Sequence, residues 1–429
     1  MILIMRYFYS VVLLALLPLI VARMIWRSRR APAYRSRLKE RLGKFDPPPP
    51  RSGKCIWVHA VSLGETLASR PLVERILAAN PGDQVVITTT TPTGSEQVQK
   101  LFKGRVFHVY APWDTPFAVK NFLDRVRPDL LILMETELWP NMLHYTRMRG
   151  AKIMLANARL SARSAAGYAR FARTTRDMFA ALDCVAVQNS VDADRFLQLG
   201  MEPSRVTVPG SIKFDISLDD TLRSAAAALR ESWQNSDRPT VIAASTHEGE
   251  DEVVLGAFRK LRESYPDALL LLAPRHPERF DRVASLCERE GWNTLRRSRA
   301  DQPDASTDIL TLDTLGELLL LFGTADIAVI GGSFIEHGGH NPLEAAVWGI
   351  PQLTGMSMTN FEDIAQKLSE VDALEMLPDG DALAVSLATL FGDDAEMQRR
   401  GDAARQILEA NRGALDALSD AVQRLLGPH

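Results

Sequence analysis

The chain alternates between short apolar runs and longer amphipathic stretches over most of its length. Each apolar run is typical of a buried strand, and each amphipathic stretch has the spacing of a helix that covers a sheet. The first series of predicted strands is Cys55–His59, Val85–Thr89, Val106–Tyr110, Leu130–Met134, Lys152–Ala156 and Cys184–Val187. The second series is Thr240–Ala244, Leu269–Ala273, Asp308–Leu312 and Asp326–Ile330. Strands that alternate with helices predict βαβ units and therefore parallel sheets in an α/β fold.

The two series predict two Rossmann-like domains, residues 31–215 and 216–429, that face each other across a cleft. We expect a hinge near Gly210–Asp220, where the alternation restarts. The last helices, within Ala382–Leu426, are amphipathic and are free to pack back on the first domain. Ligands of such sheets bind at the carboxyl ends of the strands, so the loops that follow the predicted strands hold the candidate sites.

The N-terminal segment from Tyr7 to Ala22 is apolar except for Ser10 and Pro18. Basic residues follow it, from Arg23 to Arg41, which disfavours a cleaved signal peptide. The pattern predicts an uncleaved anchor over residues 1–30, with the rest of the chain in the cytoplasm. We expect the basic collar, Arg27–Arg41, to lie on anionic lipid. A tilted span and a shallow helix both remain open for the anchor.

Composition excludes several classes of protein. The net charge of -3 and the pI of about 6.3 argue against a nucleic-acid-binding protein, which usually has a basic domain. The 3 cysteines are scattered, so they predict a reducing compartment, no disulfide framework and no cysteine zinc site. The chain also lacks the GxxxxGK[ST], GxGxxG and GxSxG patterns.

A glycine-rich loop between a predicted strand and a predicted helix, Gly331–Ala346, is the strongest candidate for a ligand site. The run Asn341–Glu344 supplies an N-cap, a proline at the first helical position and a glutamate at the third. Unpaired backbone N–H groups and the positive end of a helix dipole bind phosphate. His337 and His340 lack the spacing and partners of a zinc site, so we expect no metal there.

Three charged residues of the first domain are candidates for catalysis. Glu65 begins a predicted helix, whose dipole is expected to hold it as an anion that can accept a proton. Glu135 follows the strand Leu130–Met134, and Lys213 lies beside the predicted hinge. Such groups can stabilise positive charge on a sugar or negative charge on a leaving phosphate. The structural alternative for Glu65 is an ordinary glutamate in the first turn of a helix.

The second domain has a matching set of polar loops. Arg275 follows the strand Leu269–Ala273, and a guanidinium there suits phosphate. The segments Ala244–Glu250 and Asp313–Leu318 also stand between predicted elements, as does the glycine loop. Because these loops point polar groups at one rim, we interpret the rim as a nucleotide site.

Eight runs of residues, in this order, resemble those of the 3-deoxy-D-manno-octulosonic acid (Kdo) transferases of lipopolysaccharide assembly. They are Val61–Thr66, Thr91–Ser95, Glu135–Asn141, Asn157–Ser161, Gly210–Asp215, Ser245–Glu250, Pro274–Phe280 and Gly338–Ala346. The resemblance spans nearly the whole chain, including the anchor. It implies a GT-B fold with an acceptor-binding first domain and a second domain that binds a CMP-sugar.

The same resemblance implies an inverting transfer of Kdo from CMP-Kdo to the tetraacyl lipid A precursor, without a metal or cofactor, at the cytoplasmic face of the bacterial inner membrane. It implies Glu65 as the general base, with Glu135 and Lys213 as stabilisers of the transition state. The implied CMP contacts are Pro274, Arg275, Leu315, Gly316, Glu317, Asn341, Pro342, Leu343 and Glu344. Two positions depart from the family pattern, because Leu315 stands where Met is expected and His337 where Arg is expected.

Three other functions remain open from the sequence. A GT-B transferase that uses a UDP-sugar and a nucleotide-sugar epimerase share the same pair of domains. The N-terminal anchor argues against the epimerase, which needs no lipid acceptor. A membrane-attached binding protein with an inactive site is disfavoured by the presence of Glu65, Lys213 and Arg275. Fold alone does not separate these functions.

Overall fold

The computed structural model describes residues 2–28, 32–233, 236–299 and 302–427. These residues form two compact units. The first unit comprises residues 1–215 together with 412–429, and the second comprises residues 216–411. The chain therefore enters the second unit once, and returns to the first for its last helix.

The first unit contains a parallel sheet of seven strands among the described residues, in the order β3-β2-β1-β4-β5-β6-β7. The strands are β1 Cys55–His59, β2 Gln84–Thr89, β3 Phe107–Tyr110, β4 Leu130–Met134, β5 Lys152–Ala158, β6 Cys184–Val187 and β7 Val206–Thr207. The central strands β1 and β4 are buried along their whole length. Burial on both faces explains their continuous apolar sequences, since helices cover both sides of a parallel sheet.

The second unit repeats this architecture with the order β10-β11-β9-β8-β12-β13-β14, again parallel throughout the described part. Its strands are β8 Thr240–Thr246, β9 Leu269–Pro274, β10 Thr294–Arg296, β11 Ile309–Thr311, β12 Ile327–Ile330, β13 Gln352–Gly355 and β14 Leu374–Leu377. The sequence patterns missed β7, β10, β13 and β14. These strands have two to four residues and lie toward the sheet edges, so their apolar signal is weak.

Helices cover both faces of each sheet. In the first unit they are α1 Ile2–Arg27, α2 Leu63–Ala79, α3 Pro92–Phe102, α4 Pro116–Val126, α5 Pro140–Met148, α6 Ala162–Ala169, α7 Ala172–Ala180, α8 Ser190–Gln198 and α17 Ala414–Leu426. In the second they are α9 Asp220–Glu231, α10 Glu250–Ser264, α11 Phe280–Arg289, α12 Leu318–Phe322, α13 Leu343–Ala346, α14 Glu362–Ser369, α15 Gly380–Phe391 and α16 Asp394–Ala410. Side-chain N-caps start several of them, including Ser62 before α2 and Thr91 before α3.

The last helix, α17, completes the core of the first unit. Leu418 and Val422 are buried in the apolar cluster that covers one face of the first sheet. The carboxylate of Asp215, where the chain leaves this unit, accepts hydrogen bonds from the N–H groups of Gly413 and Leu415 at 2.8 and 2.7 Å. The first unit thus extends beyond the expected range 31–215, because α17 supplies part of its apolar core.

The N-terminal helix α1 is tied to the first unit near its start, and the segment that follows it is tied there as well. The Arg6 guanidinium donates to Asn141 Oδ1 at 2.9 Å and to the Tyr145 hydroxyl at 3.1 Å. Beyond its other end, Arg37 donates to the carbonyl of His108 at 2.8 Å. Between these contacts the helix exposes large apolar side chains, and Met5–Trp26 is long and apolar enough to cross a membrane.

Part of the basic collar is hydrogen-bonded to the rest of the first unit, which the sequence did not predict. Besides its bond to His108, Arg37 donates to Ser95 Oγ at 3.0 Å. Arg41 is buried and donates to the carbonyl of Thr90 at 2.8 Å. The expectation that all of Arg27–Arg41 lies on lipid is therefore wrong for these two arginines, which fasten the collar to α3, to β3 and to the loop after β2. Residues 29–31 of the collar lie outside the described residues.

Candidate functional site

Each sheet has one point where its strand order reverses, and open α/β sheets bind ligands outside the strand ends at such a point. In the first sheet the reversal lies between β1 and β4. Glu65 follows β1, and Glu135 follows β4, so both predicted catalytic carboxylates stand at this point. In the second sheet the reversal lies between β8 and β12, which precede the loops of residues 247–249 and 331–342.

Glu65 is a buried carboxylate inside a capping box. It is 7% exposed, and its oxygens accept hydrogen bonds from the Val61 N–H at 2.7 Å and the Ser62 hydroxyl at 2.9 Å. Burial raises the pKa of Glu65 to about 7 against these two hydrogen bonds, and the nearby charges of Glu137 and Glu135 raise it further. Burial thus has a larger effect on this carboxyl group than the hydrogen bonds that favour its anion.

Glu135 adopts a backbone conformation that is uncommon for its residue type. Its φ is +56°, in the left-handed region, and its N–H donates to the carbonyl of Ala156 at 3.0 Å. Glu137, two residues later, accepts a hydrogen bond from Trp139 Nε1 at 2.8 Å. Burial raises the pKa of Glu137, with a smaller contribution from Glu135. The turn after β4 thus gathers acidic groups beside Glu65, as strained turns at functional sites often do.

Lys213 is positioned through the end of β5. Asn157, with a φ of +53°, accepts a hydrogen bond from the Ile212 N–H at 3.1 Å. The Ser211 hydroxyl accepts one from the Lys213 N–H at 3.4 Å. These bonds hold the segment that carries Lys213 beside β5, the strand next to β4. Lys213 therefore belongs to the same edge of the sheet as Glu65 and Glu135.

The glycine loop of the second unit does not offer the free N–H groups that its sequence predicted. The buried carboxylate of Glu250 accepts hydrogen bonds from the N–H groups of Gly332, Ser333 and Phe334 at 2.6, 2.9 and 2.9 Å. It also accepts one from the His247 N–H at 2.9 Å. The predicted phosphate cradle is thus wrong for these amides, because an internal carboxylate already occupies it.

The other groups that could donate hydrogen bonds to a phosphate lie near Arg275, which follows β9. Arg275 is exposed, and its charge opposes the burial that raises the pKa of Glu344. Asn341 Oδ1 accepts a hydrogen bond from the Leu343 N–H at 3.2 Å, as the expected cap would. The helix itself, α13, begins at Leu343, one residue later than predicted, and Pro342 precedes it. Pro274 ends β9, directly before Arg275.

The segment Leu315–Glu317 stands before α12. Leu315 is 72% exposed, although it is apolar, and Gly316 has a φ of +90° that favours glycine. The side chain of Glu317 accepts a hydrogen bond from Arg297 at 3.0 Å, and its pKa is lowered by that bond. An apolar side chain this exposed is available to a flat ligand.

Three histidines meet at the reversal point of the second sheet. His247 Nε2 and His340 Nε2 are 2.9 Å apart, and the rings of His247 and His337 have centroids 3.9 Å apart. One nitrogen from each of the three lies within 4.8 Å of the others. The spacing of His337 and His340 in the sequence did not show this third histidine, because β8 lies beside β12 and brings His247 to them.

A cavity of about 340 Å³ in the first unit contains none of the predicted site residues. It lies against α1, α5 and α7, and its lining combines apolar side chains with basic ones. The lining includes Arg6, Leu143, His144, Arg147 and Met178. The lining also includes the acidic side chain of Asp177, so it carries both signs of charge.

The chain is similar over nearly its full length to known transferases. Residues 36–216 match the family described as 3-deoxy-D-manno-octulosonic-acid transferase (kdotransferase). The 3-deoxy-D-manno-octulosonic acid transferase of Haemophilus influenzae is 41% identical, with 98% of this chain and 99% of that protein covered. The enzyme of the same description from Bordetella pertussis is 36% identical, with 98% and 100% covered.

Solved structures confirm the predicted fold class. The UDP-GlcNAc 2-epimerase from Neisseria meningitidis, bound to UDP-GlcNAc, superimposes with a TM-score of 0.57 at 11% identity and covers 86% of this chain and 100% of its own. A glycosyltransferase from Rickettsia africae ESF-5 gives 0.56 at 15% identity, with 88% and 100% covered. At these identities the likeness establishes the GT-B-like α/β architecture alone.

Proposed function

Because the chain belongs to the 3-deoxy-D-manno-octulosonic acid (Kdo) transferase family, we propose that it transfers Kdo from CMP-Kdo to the tetraacyl lipid A precursor, with inversion and without a metal ion. Membership makes it a glycosyltransferase of lipopolysaccharide biosynthesis. The main support is the 41% identity to the Haemophilus influenzae enzyme over 98% of this chain. Family membership does not fix the donor, the acceptor or the stereochemistry, and these are what we propose.

In the proposed mechanism, Glu65 removes the proton from the attacking hydroxyl of the acceptor. Its buried carboxyl supports this role, because a base with a pKa of about 7 is partly ionised at neutral pH and holds a proton well. Glu135 stabilises the positive charge that develops at the anomeric carbon, as carboxylates do in glycoside chemistry. Lys213 neutralises negative charge on the departing phosphate.

The second unit is proposed to hold the CMP part of the donor. Arg275 provides a forked donor for the phosphate, and Asn341 to Glu344 provide the polar start of α13. Leu315 and Gly316 offer an exposed apolar surface and a close backbone approach to the base. The N–H groups of residues 332–334 already donate hydrogen bonds to Glu250. Arg275 is therefore expected to contribute more to phosphate binding than the glycine loop does.

The proposed base gives a prediction for pH dependence. A carboxyl with a pKa of about 7 must lose its proton to act as a base, so kcat/KM rises about tenfold per pH unit below pH 7 and levels off above it. Initial rates between pH 5 and 8.5, at acceptor concentrations well below KM, measure this profile. A rate that stays level down to pH 5 would place the base on another group.

The donor is tested by competition. We expect CMP to displace CMP-Kdo from the enzyme at concentrations at which UDP does not. Mass spectrometry of the lipid product made from CMP-Kdo and purified acceptor then identifies the transfer. Displacement by UDP alone supports a UDP-sugar transferase, and conversion of a nucleotide sugar without lipid supports the epimerase. Undiminished turnover in excess EDTA is expected for a transfer that uses no metal.

The proposed location is the cytoplasmic face of the inner membrane, with α1 lying in the membrane plane. A helix of 26 residues is about 39 Å long, so a spanning helix would separate its ends across the bilayer. Here Arg6 near one end and Arg37 beyond the other both contact the first unit. The exposed side chains of Phe8, Val11 and Leu19 then face lipid.

Protease accessibility distinguishes the two arrangements of α1. In inverted inner-membrane vesicles, protease should remove an N-terminal epitope tag together with the catalytic body, since both lie on the outer side of such vesicles. A tag that survives while the body is digested would show that α1 crosses the membrane. Solubilised vesicles, in which any tag is cleaved, provide the control.

A further inference from the structure

The three histidines at the reversal point of the second sheet have no assigned role in the proposed transfer mechanism. We propose that His247, His337 and His340 bind one divalent cation of the zinc class. This inference does not depend on the proposed donor or acceptor, because it rests on the geometry of this cluster alone.

The first argument is the approach of the two inner rings. At 2.9 Å, His247 Nε2 and His340 Nε2 share a single hydrogen atom, since one neutral ring must donate and the other accept. The two nitrogens therefore point at each other, and both offer lone pairs once the donor ring carries its proton on Nδ1 instead. In a tetrahedral site with bonds of about 2.0–2.1 Å, ligating nitrogens are about 3.4 Å apart. An ion can take the place of the shared hydrogen atom, which moves to Nδ1 of its ring, once these two nitrogens separate by about 0.5 Å.

The second argument is that the backbone already fixes the ligand positions. Glu250 holds the His247 N–H, and the His340 N–H donates to the carbonyl of Gly331 at 3.1 Å. The carbonyl of His337 accepts a hydrogen bond from Asn360 Nδ2 at 3.0 Å. Only the His337 ring is exposed, so it can rotate onto the ion without disturbing the core. Ligands on a fixed backbone bind with little loss of conformational entropy.

The charges around the cluster also bear on the site. Arg275 places positive charge near His340 and Arg279 near His247, whereas the carboxylate of Glu250 places negative charge near His247. Metal ions bind imidazole in its neutral form. Imidazole ligands in this setting select Zn²⁺, Co²⁺ or Ni²⁺ rather than Mg²⁺.

Three protein ligands leave one tetrahedral position open, as in zinc sites that bind a water molecule or a substrate. The proposed ion site does not follow from the fold alone, because it requires a histidine at position 337.

The test is direct binding of Co²⁺ and Zn²⁺ to the full-length chain, purified without a histidine tag and dialysed against EDTA. We expect one Co²⁺ per chain at pH 7.5, with the visible absorption of a four-coordinate ion, displaced by Zn²⁺ but not by Mg²⁺. His337→Asn should weaken this binding at least tenfold without loss of folding, since that side chain is exposed. His247→Gln should weaken it in the same way.

The matched control is His144→Asn, a histidine of the first unit that does not belong to the cluster. Its binding curve should coincide with that of the unmodified chain. Wild-type protein that binds no Co²⁺, or His337→Asn protein that binds it with unchanged affinity, would overturn the proposal. Because no nucleotide or lipid is present, neither result bears on the transfer of Kdo.

Discussion

Replacing Glu65 by glutamine should reduce turnover by about 10²- to 10⁴-fold, the usual contribution of a general base. The amide cannot accept the proton of the attacking hydroxyl, but it has nearly the same shape. Binding of CMP should be unchanged, since the proposed CMP contacts belong to the second unit. Turnover is measured by formation of the Kdo-lipid product, and CMP affinity by calorimetry on the same preparation.

Glu74→Gln is the matched control for this change. Glu74 lies on the same helix, α2, and pairs with Arg105 on the surface at 2.6 Å. Removing an exposed ion pair costs about 0–1 kcal/mol, so this variant should keep wild-type turnover. A Glu65→Gln enzyme that retains full turnover would show that the buried carboxylate serves only as a helix cap.

Replacing Glu250 by glutamine should destabilise the second unit by about 3 kcal/mol or more, because buried N–H groups lose their acceptor. One carboxylate serves the N–H groups of Gly332, Ser333, Phe334 and His247, whereas glutamine turns an NH₂ group towards some of them. For a unit of this size, the melting temperature should fall by about 6–12 °C. Thermal unfolding followed by circular dichroism measures it.

Glu248→Gln is the matched control, because it makes the same substitution at an exposed glutamate instead of a buried one. Glu248 lies in the same loop but is exposed and pairs with Arg282 at 2.6 Å. Its replacement should leave the melting temperature within about 2 °C of the unmodified protein. Equal melting temperatures for both variants would mean that water can satisfy the amides that Glu250 now serves. The glycine loop would then be available to phosphate after all.

The strands of the sheet centres could be predicted from sequence because their signal is local. Leu130–Met134 and Cys184–Val187 have the predicted ends, since a run of buried apolar residues identifies a strand wherever it lies. The short strands Gln352–Gly355 and Thr294–Arg296 contain polar residues, and pairing with a neighbour defines them. Pairing is a property of the assembled sheet, so no window of sequence contains it.

In the candidate site, too, single loops could be predicted from sequence, but contacts between residues far apart in the chain could not. Loops after strands could be recognised one at a time, which was sufficient to select Glu65, Glu135 and Arg275. The bonds from Glu250 to the glycine loop join residues more than 80 positions apart. The meeting of His247 with His340 has a separation of 93. Both depend on β8 lying next to β12, which the alternating pattern alone does not specify.

The return of α17 to the first unit affects how the chain is synthesised and dissected. Residues 216–411 are an insertion within the first unit, whose apolar core lacks Leu418 and Val422 until the ribosome has nearly finished. The first unit therefore cannot complete its apolar core until the inserted unit has been synthesised. Because Asp215 touches Gly413 and Leu415, a short artificial turn could join residue 215 to residue 412 and release the first unit as a continuous, separately expressible protein.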